Sequence, residues 1–223
     1  MKIYPVKIIA SKKVTHDTLR IVTDKPKGYK FKPGQATEVT IDKIGWRRKR
    51  NPFTFTNLPD DDHLEFTIKT YPLHKCVTNE LLKLKKGDAL ILHDVFGAIS
   101  YKGVGVFIAG GAGVTPFISI LRDLRIKNMI KGNLLVFANK TKADIINESE
   151  FKKMLGKAFI NILSDEKVKG CFHGMITEDF LKANITDFNQ QFYVCGPPPM
   201  ITAVIKQLKM LGVEKKSIIT EGI

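Results

Sequence analysis

Cysteine is sparse in this chain: Cys76, Cys171 and Cys195 are the only three in 223 residues. They are odd in number and widely spaced, with no Cys-x-x-Cys pair and no four-cysteine cluster. This argues against an internal iron–sulfur centre and a disulfide framework and fits a reducing, cytoplasmic setting. No metal site is expected. Long apolar runs are also missing: none approaches the roughly 20 residues that span a bilayer, so no membrane insertion is expected. The start, Met1-Lys2-Ile3-Tyr4-Pro5-Val6, reads as a polar-interrupted strand and not as a secretory leader. Internal repeats and low-complexity tracts are absent. Acidic residues are outnumbered, 22 against 36 Lys and Arg, giving a net charge of +14. Such a balance invites a nucleic-acid reading, but zinc-ligand spacing, an RNA-recognition signature and a helix-turn-helix pattern are all lacking. No nucleic-acid partner is expected.

What is present divides the chain in two. The first part, 1–101, is rich in short β-branched and aromatic runs: Val6–Ile9, Thr18–Val22, Ala36–Ile41, Phe53–Thr56, Leu64–Lys69 and Ala89–Leu92. Turn residues separate them, notably Lys27-Gly28, Pro33-Gly34 and Asn57 to Asp62, so a small antiparallel barrel is expected. One helical piece, Val77–Leu84, interrupts it and stops at Lys86-Gly87. In the second part, 102–223, apolar strands (Val104–Ala109, Leu134–Ala138, Phe159–Leu163, Phe192–Cys195, Ser217–Thr220) alternate with helix-patterned segments. The fold class is therefore β plus α/β: a barrel domain, then a doubly wound parallel sheet whose ligands sit at the carboxyl ends of its strands.

Two glycine-bearing loops lie at such ends. Gly110-Gly111-Ala112-Gly113-Val114-Thr115-Pro116 precedes the helical pattern Phe117–Leu124. Cys195-Gly196-Pro197-Pro198-Pro199-Met200 opens the pattern Met200–Leu211. A strand, a glycine turn and a helix start let backbone N–H groups approach a phosphate. Two such loops in one half-chain, one with a cysteine in a Cys-Gly-Pro turn, point to a nicotinamide dinucleotide.

The order of motifs then carries a resemblance. Phe31-Lys32-Pro33-Gly34-Gln35, Pro52-Phe53-Thr54-Phe55-Thr56, Gly87-Asp88 and the two glycine loops occur in one sequence. In this order they resemble the ferredoxin/flavodoxin–NAD(P)H reductase family over nearly the whole chain. The resemblance implies a flavin-binding barrel, FAD before FMN, joined to a domain for NADPH or NADH. It places Phe53 against the flavin and the Thr54 hydroxyl near flavin N5, with Arg50, Asn51 and Pro52 leading in. The family usually has arginine at the position of Asn51; Arg50, one residue earlier, is the alternative phosphate contact. Lys69, Thr70 and Tyr71 would lie along the flavin ring, and Lys75, Cys76, Val77 and Thr78 at the helix start beneath its phosphates. Without the resemblance, Phe53-Thr54 is an ordinary alternating strand and Val77–Leu84 an ordinary capped helix.

In the second half the resemblance gives Gly110, Gly111, Gly113, Thr115 and Pro116 to the nicotinamide pyrophosphate, and Cys195, Gly196 and Pro197 to the nicotinamide itself. Cys195 would position and stabilise charge, not attack. Lys140 and Lys142, after the second strand of this domain, favour a 2′-phosphate and so NADPH. Glu221 corresponds to a terminal acidic residue near the flavin, although this chain has no terminal aromatic to stack there. Thr54, Cys195 and Glu221 are the candidate catalytic residues.

The expected activity is hydride transfer from NAD(P)H to a bound flavin, followed by single-electron delivery to an external acceptor. The run Arg47-Arg48-Lys49-Arg50 leads into the flavin strand and would suit an acidic electron carrier such as flavodoxin or ferredoxin. A reductase component of an oxygenase system is the alternative. Outside that class stand a non-catalytic nucleotide-sensing subunit and a basic nucleic-acid binder.

Overall fold

A computed structural model describes residues 2–71 and 76–221 of the chain. The first sheet is built from β1 (Tyr4–Lys13), β2 (Thr18–Asp24), β3 (Ala36–Ile41), β4 (Arg50–Thr54), β5 (His63–Lys69) and β6 (Ala89–Phe96). All its pairs are antiparallel, in the order β4-β3-β6-β1-β2-β5. A single bridge between Phe55 and Phe66 links the two edge strands and closes the barrel. Period-2 alternation turns Val6, Ile8, Ile21, Val39, Ile41, Leu64, Phe66, Leu90 and Leu92 inward. Phe31 stacks on Phe55 at 4.2 Å between ring centres, and each such buried ring contributes about 1.5–3 kcal/mol of burial energy. The helical piece is shorter than its pattern suggests. α1 (Val77–Glu80) tightens into a 3₁₀ turn at Leu81–Lys83, and Leu84 is already extended.

The second sheet is wholly parallel. It comprises β7 (Gly105–Gly110), β8 (Leu134–Asn139), β9 (Phe159–Leu163), β10 (Phe172–His173), β11 (Gln191–Cys195) and β12 (Ile218–Thr220), in the order β10-β9-β8-β7-β11-β12. Helices α2 (Thr115–Ile126) and α3 (Glu148–Leu155) cover one face. Helices α4 (Glu178–Asn184) and α5 (Pro198–Met210) cover the other. Both faces are buried, which is why these strands read as unbroken apolar runs. The chain leaves β7 toward β8 and returns to its other side as β11, so the strand order reverses between β7 and β11. That reversal opens a crevice beyond their carboxyl ends. Strand β10 is only two residues long and had no signal of its own in the sequence.

Between the sheets, Tyr193 fixes the connecting segment. Its hydroxyl donates to Gly103 O at 2.7 Å and accepts from Lys102 N at 2.8 Å. Among the described residues no helix is long and apolar enough to cross a membrane.

Candidate active site

Both glycine loops emerge at the crevice, and they touch. A Cβ on Gly113 would lie 2.3 Å from Cys195 O and 2.5 Å from Gly196 N. One on Gly110 would lie 2.3 Å from the Met200 sulfur. Only glycine allows this approach, and the close contact joins the starts of α2 and α5 into one floor. Gly111 differs: with φ at +51°, its added Cβ would meet nothing within 4 Å. That open space is where a phosphate would approach the backbone. Thr115 Oγ1 donates to Ala112 O at 3.0 Å and Pro116 stands in the first turn of α2, so both shape the loop.

Residues 195 and 221 sit side by side because Val194 pairs with Thr220 in the β11–β12 ladder. Burial, reinforced by the Glu221 carboxylate, pushes the Cys195 thiol up to about 12. Burial likewise raises the Glu221 carboxyl above its ordinary value. Glu221 reaches the barrel: a Cβ on Gly97 would lie 3.5 Å from Glu221 Oε1 and 3.3 Å from Gln35 Cα. The next residue, Ala36, pairs with Thr54 on one side and Phe96 on the other. Ladder pairs and close contacts thus run as one path from Thr54 through Ala36, Gln35 and Gly97 to Glu221, and on to Cys195 beside the glycine loops. Gln35 and Gly97 were not anticipated as parts of this path; the glycine ending an apolar strand was the available signal.

Along β4 the alternation separates two groups. Phe53 packs against the barrel core and shares its face with Asn51, while Arg50, Pro52 and Thr54 share the opposite face. Arg50 Nη1 donates to Glu38 Oε2 at 3.2 Å. Of the two possible phosphate contacts, Arg50 is the one on the Thr54 face. At the end of β5 two side chains are engaged elsewhere. The Lys69 ammonium lies 2.9 Å from Asp17 and 3.4 Å from Asp144, and Thr70 is buried with both N and Oγ1 donating to Asp17 O. Tyr71 is half exposed. Lys75 lies outside the described residues. Cys76 starts α1, where the Thr78 hydroxyl at 3.1 Å and first-turn amides hold its thiol below the ordinary value, against a smaller opposing effect of burial. Val77 belongs to the barrel core.

Past β8 the surroundings are mixed. Lys140 and Lys142 are exposed. The Lys142 ammonium lies 3.8 Å from Glu148, and its amide donates to Glu166 at 2.7 Å. One polar group was missed from sequence: Asn139, the last residue of β8, is 9% exposed, and neither its amide nitrogen nor its oxygen has a partner among the described residues. A buried amide without a protein partner at the carboxyl end of β8 can hydrogen-bond a polar ligand or a water. The open space at Gly111, this amide and the Thr54–Glu221–Cys195 path together fit a flavin and a nicotinamide dinucleotide.

Comparison with known proteins agrees with this geometry. Residues 3–123, more than half of the chain, match the family described as FAD-binding domain, and residues 107–206 match the oxidoreductase NAD-binding domain. The chain belongs to the ferredoxin/flavodoxin–NAD(P)H reductase family. Among relatives of this reductase-family chain, NADH-cytochrome b5 reductase 2 of Mycosarcoma maydis is 30% identical over 216 residues, covering 86% of this chain and 61% of its own. The reductase component of propane 2-monooxygenase from Rhodococcus jostii (strain RHA1) is 29% identical over 219 residues, covering 90% and 58%. The chain thus spans about three fifths of the length of these curated relatives. In solved structures the fold recurs in a ferredoxin NADP+ reductase from Neisseria gonorrhoeae with bound FAD and NADP. That structure has a TM-score of 0.85 at 20% identity and covers 99% of this chain and 98% of its own.

Proposed function

We propose that this member of the family is an NAD(P)H-dependent flavoprotein reductase, with FAD on the barrel edge and the dinucleotide in the crevice. The observation that carries the reading is the meeting of the two glycine loops opposite the Thr54 edge, with Glu221 between them. When bound, the flavin supplies the conversion of a two-electron hydride donor into a one-electron source. The chain's own residues bind and orient. Thr54 offers a hydroxyl at the barrel edge, and Gly111 offers open backbone to a pyrophosphate. The Cys195 thiol, kept neutral by burial, would pack beside the nicotinamide without acting as a nucleophile. Glu221 lies between Cys195 and the barrel residue Gly97 and brings a titratable carboxyl to the path. The division at residues 101 and 102 assigns the first part to flavin and the second to the dinucleotide.

The acceptor we propose is a separate acidic one-electron carrier, flavodoxin or ferredoxin in kind, in the cytoplasm. A reductase component of an oxygenase system is the second reading, favoured by the Rhodococcus relative. The deciding experiment is anaerobic titration of the purified protein with NADH and NADPH, after chromatographic identification of acid-released flavin. A yellow protein whose flavin bleaches supports the proposal. A protein that neither carries nor takes up flavin ends it.

A further inference from the structure

Strand β5 alternates as a barrel strand should, with Leu64, Phe66 and Ile68 in the core. Its other face, Glu65, Thr67 and Lys69, is polar yet shielded: Glu65 is 2% and Thr67 6% exposed. What covers this face is the nucleotide domain, and it is attached at both ends. At one end Arg122 of α2 donates to Glu65 Oε1 at 2.8 Å and to Thr56 O at 2.7 Å across the joint. The same guanidinium grips Glu150 of α3 through two bonds, at 2.6 and 2.8 Å. At the other end Lys69 bridges Asp17 of the barrel and Asp144 of the nucleotide domain. Asp144 in turn closes a capping box with Thr141 in the loop after β8. His16 lies 3.8 Å from the same Asp144 carboxylate. A third contact joins Gly34 N to Ser119 Oγ of α2 at 3.0 Å.

One attachment leaves a hinge; two, separated by four residues of extended strand or about 13 Å, do not. The first holds α2, whose start is the Gly110–Gly113 loop. The second holds the loop that follows Asn139. We propose that Arg122 and Lys69 are positioning residues, a two-point clamp from β5 that sets the angle between the domains and so the approach of the nicotinamide loops to the Thr54 edge. The clamp rests on the reductase reading for its consequence, but its existence can be tested without it. Removing Arg122 leaves no bare buried carboxylate, because Arg20 Nε and Thr56 Oγ1 still donate to Glu65. The variant should therefore fold.

The test uses the full chain carrying Arg122→Ala, Arg122→Lys, Lys69→Met and the double change Arg122→Ala/Lys69→Met. Amide hydrogen exchange is followed with and without added FAD and NADH. In Arg122→Ala we expect faster exchange in α2 and at residues 56–69, with β1 unchanged and full flavin content. Anaerobic flavin reduction should slow about tenfold with KM for the dinucleotide moved less than threefold, and the double variant should lose about a hundredfold. Arg122→Lys should recover part of both the protection and the rate. Unchanged exchange at the joint, or a rate lost only in proportion to lost flavin, would overturn the clamp. Should Arg122→Ala not fold, Arg122→Lys and Lys69→Met decide on the same readouts. A wild-type chain that takes up no flavin defeats the reductase reading alone, since exchange of the flavin-free protein still shows whether the clamp holds.

Discussion

A thiol at about 12 beside a carboxyl that burial has raised makes Cys195 and Glu221 an unusual pair. The thiol stays protonated at any working pH, so Cys195→Ala should slow anaerobic flavin reduction by shape alone. We expect a loss of about tenfold, ~1.4 kcal/mol of transition-state stabilisation, with flavin affinity unaltered. Stopped-flow rates equal to wild type would remove Cys195 from the site. Glu221 behaves differently. Its folded-state pKa lies above the unfolded value, so the folded chain holds the proton longer, and stability falls as pH rises from the ordinary carboxylate range through the raised value. Thermal melts of the flavin-free protein across that range should show a shallower decline in Glu221→Gln. Asn139 gives a prediction of opposite signs. Replacing its unpaired amide with the similarly sized Leu should stabilise the flavin-free fold by about 1–2 kcal/mol, since the buried group is unsatisfied. Dinucleotide affinity should fall about thirtyfold in the same variant, as two hydrogen bonds of roughly 1 kcal/mol each are lost. Calorimetric binding unchanged in Asn139→Leu would leave the amide without a ligand.

At the level of elements, the loop after β8 bears on which dinucleotide is used. Lys140 and Lys142 suggest a 2′-phosphate, but Glu148 and Glu166 both contact Lys142, and Asp165 follows at the end of β9. Carboxylates beside the ribose accept hydrogen bonds from a 2′-hydroxyl and repel a phosphate. NADH should therefore match or exceed NADPH in kcat/KM; a tenfold preference for NADPH would return the lysines to the site. Apart from the two-residue β10, the strands of both sheets were legible from alternation and apolar runs, and the glycine loops from their place after them. What was not legible depends on contacts distant in sequence. Arg122 looks like any charged position of an amphipathic helix until α2 is laid against β5. Lys69 reads as the end of a flavin strand until Asp17 and Asp144 are brought to it. Asn139 is a polar residue closing an apolar strand, and only the missing partners single it out. The last helix before β6 reads longer in sequence than it is, because Leu81–Lys83 takes the tighter 3₁₀ form.

For the molecule as a whole, the net charge of +14 sets how it meets other macromolecules. Part of the basic run is internally balanced: Arg47 Nε lies 2.6 Å from Asp42, Arg50 pairs with Glu38, and Lys49 sits 4.4 Å over the Trp46 ring. The hairpin is thus an ordered basic surface, and Ile44 at its tip is 95% exposed. An acidic carrier approaching this edge would be steered by the field, and steering weakens once salt shortens the Debye length to roughly 8–10 Å. Electron transfer to a flavodoxin- or ferredoxin-like protein should therefore fall steeply as salt rises. Reduction of ferricyanide should be far less sensitive to these residues, because a small ion does not need an extended docking face. Replacing Arg47, Arg48 and Lys49 with Gln, while keeping Arg50 for its place on the Thr54 face, should lower the on-rate for the protein acceptor and flatten its salt dependence. NAD(P)H-driven flavin reduction should persist, because the proposed site of that transfer is the crevice beyond β7 and β11, away from the hairpin. An unchanged on-rate at low salt in the triple variant would mean that the hairpin is a solvated loop and that the carrier docks elsewhere.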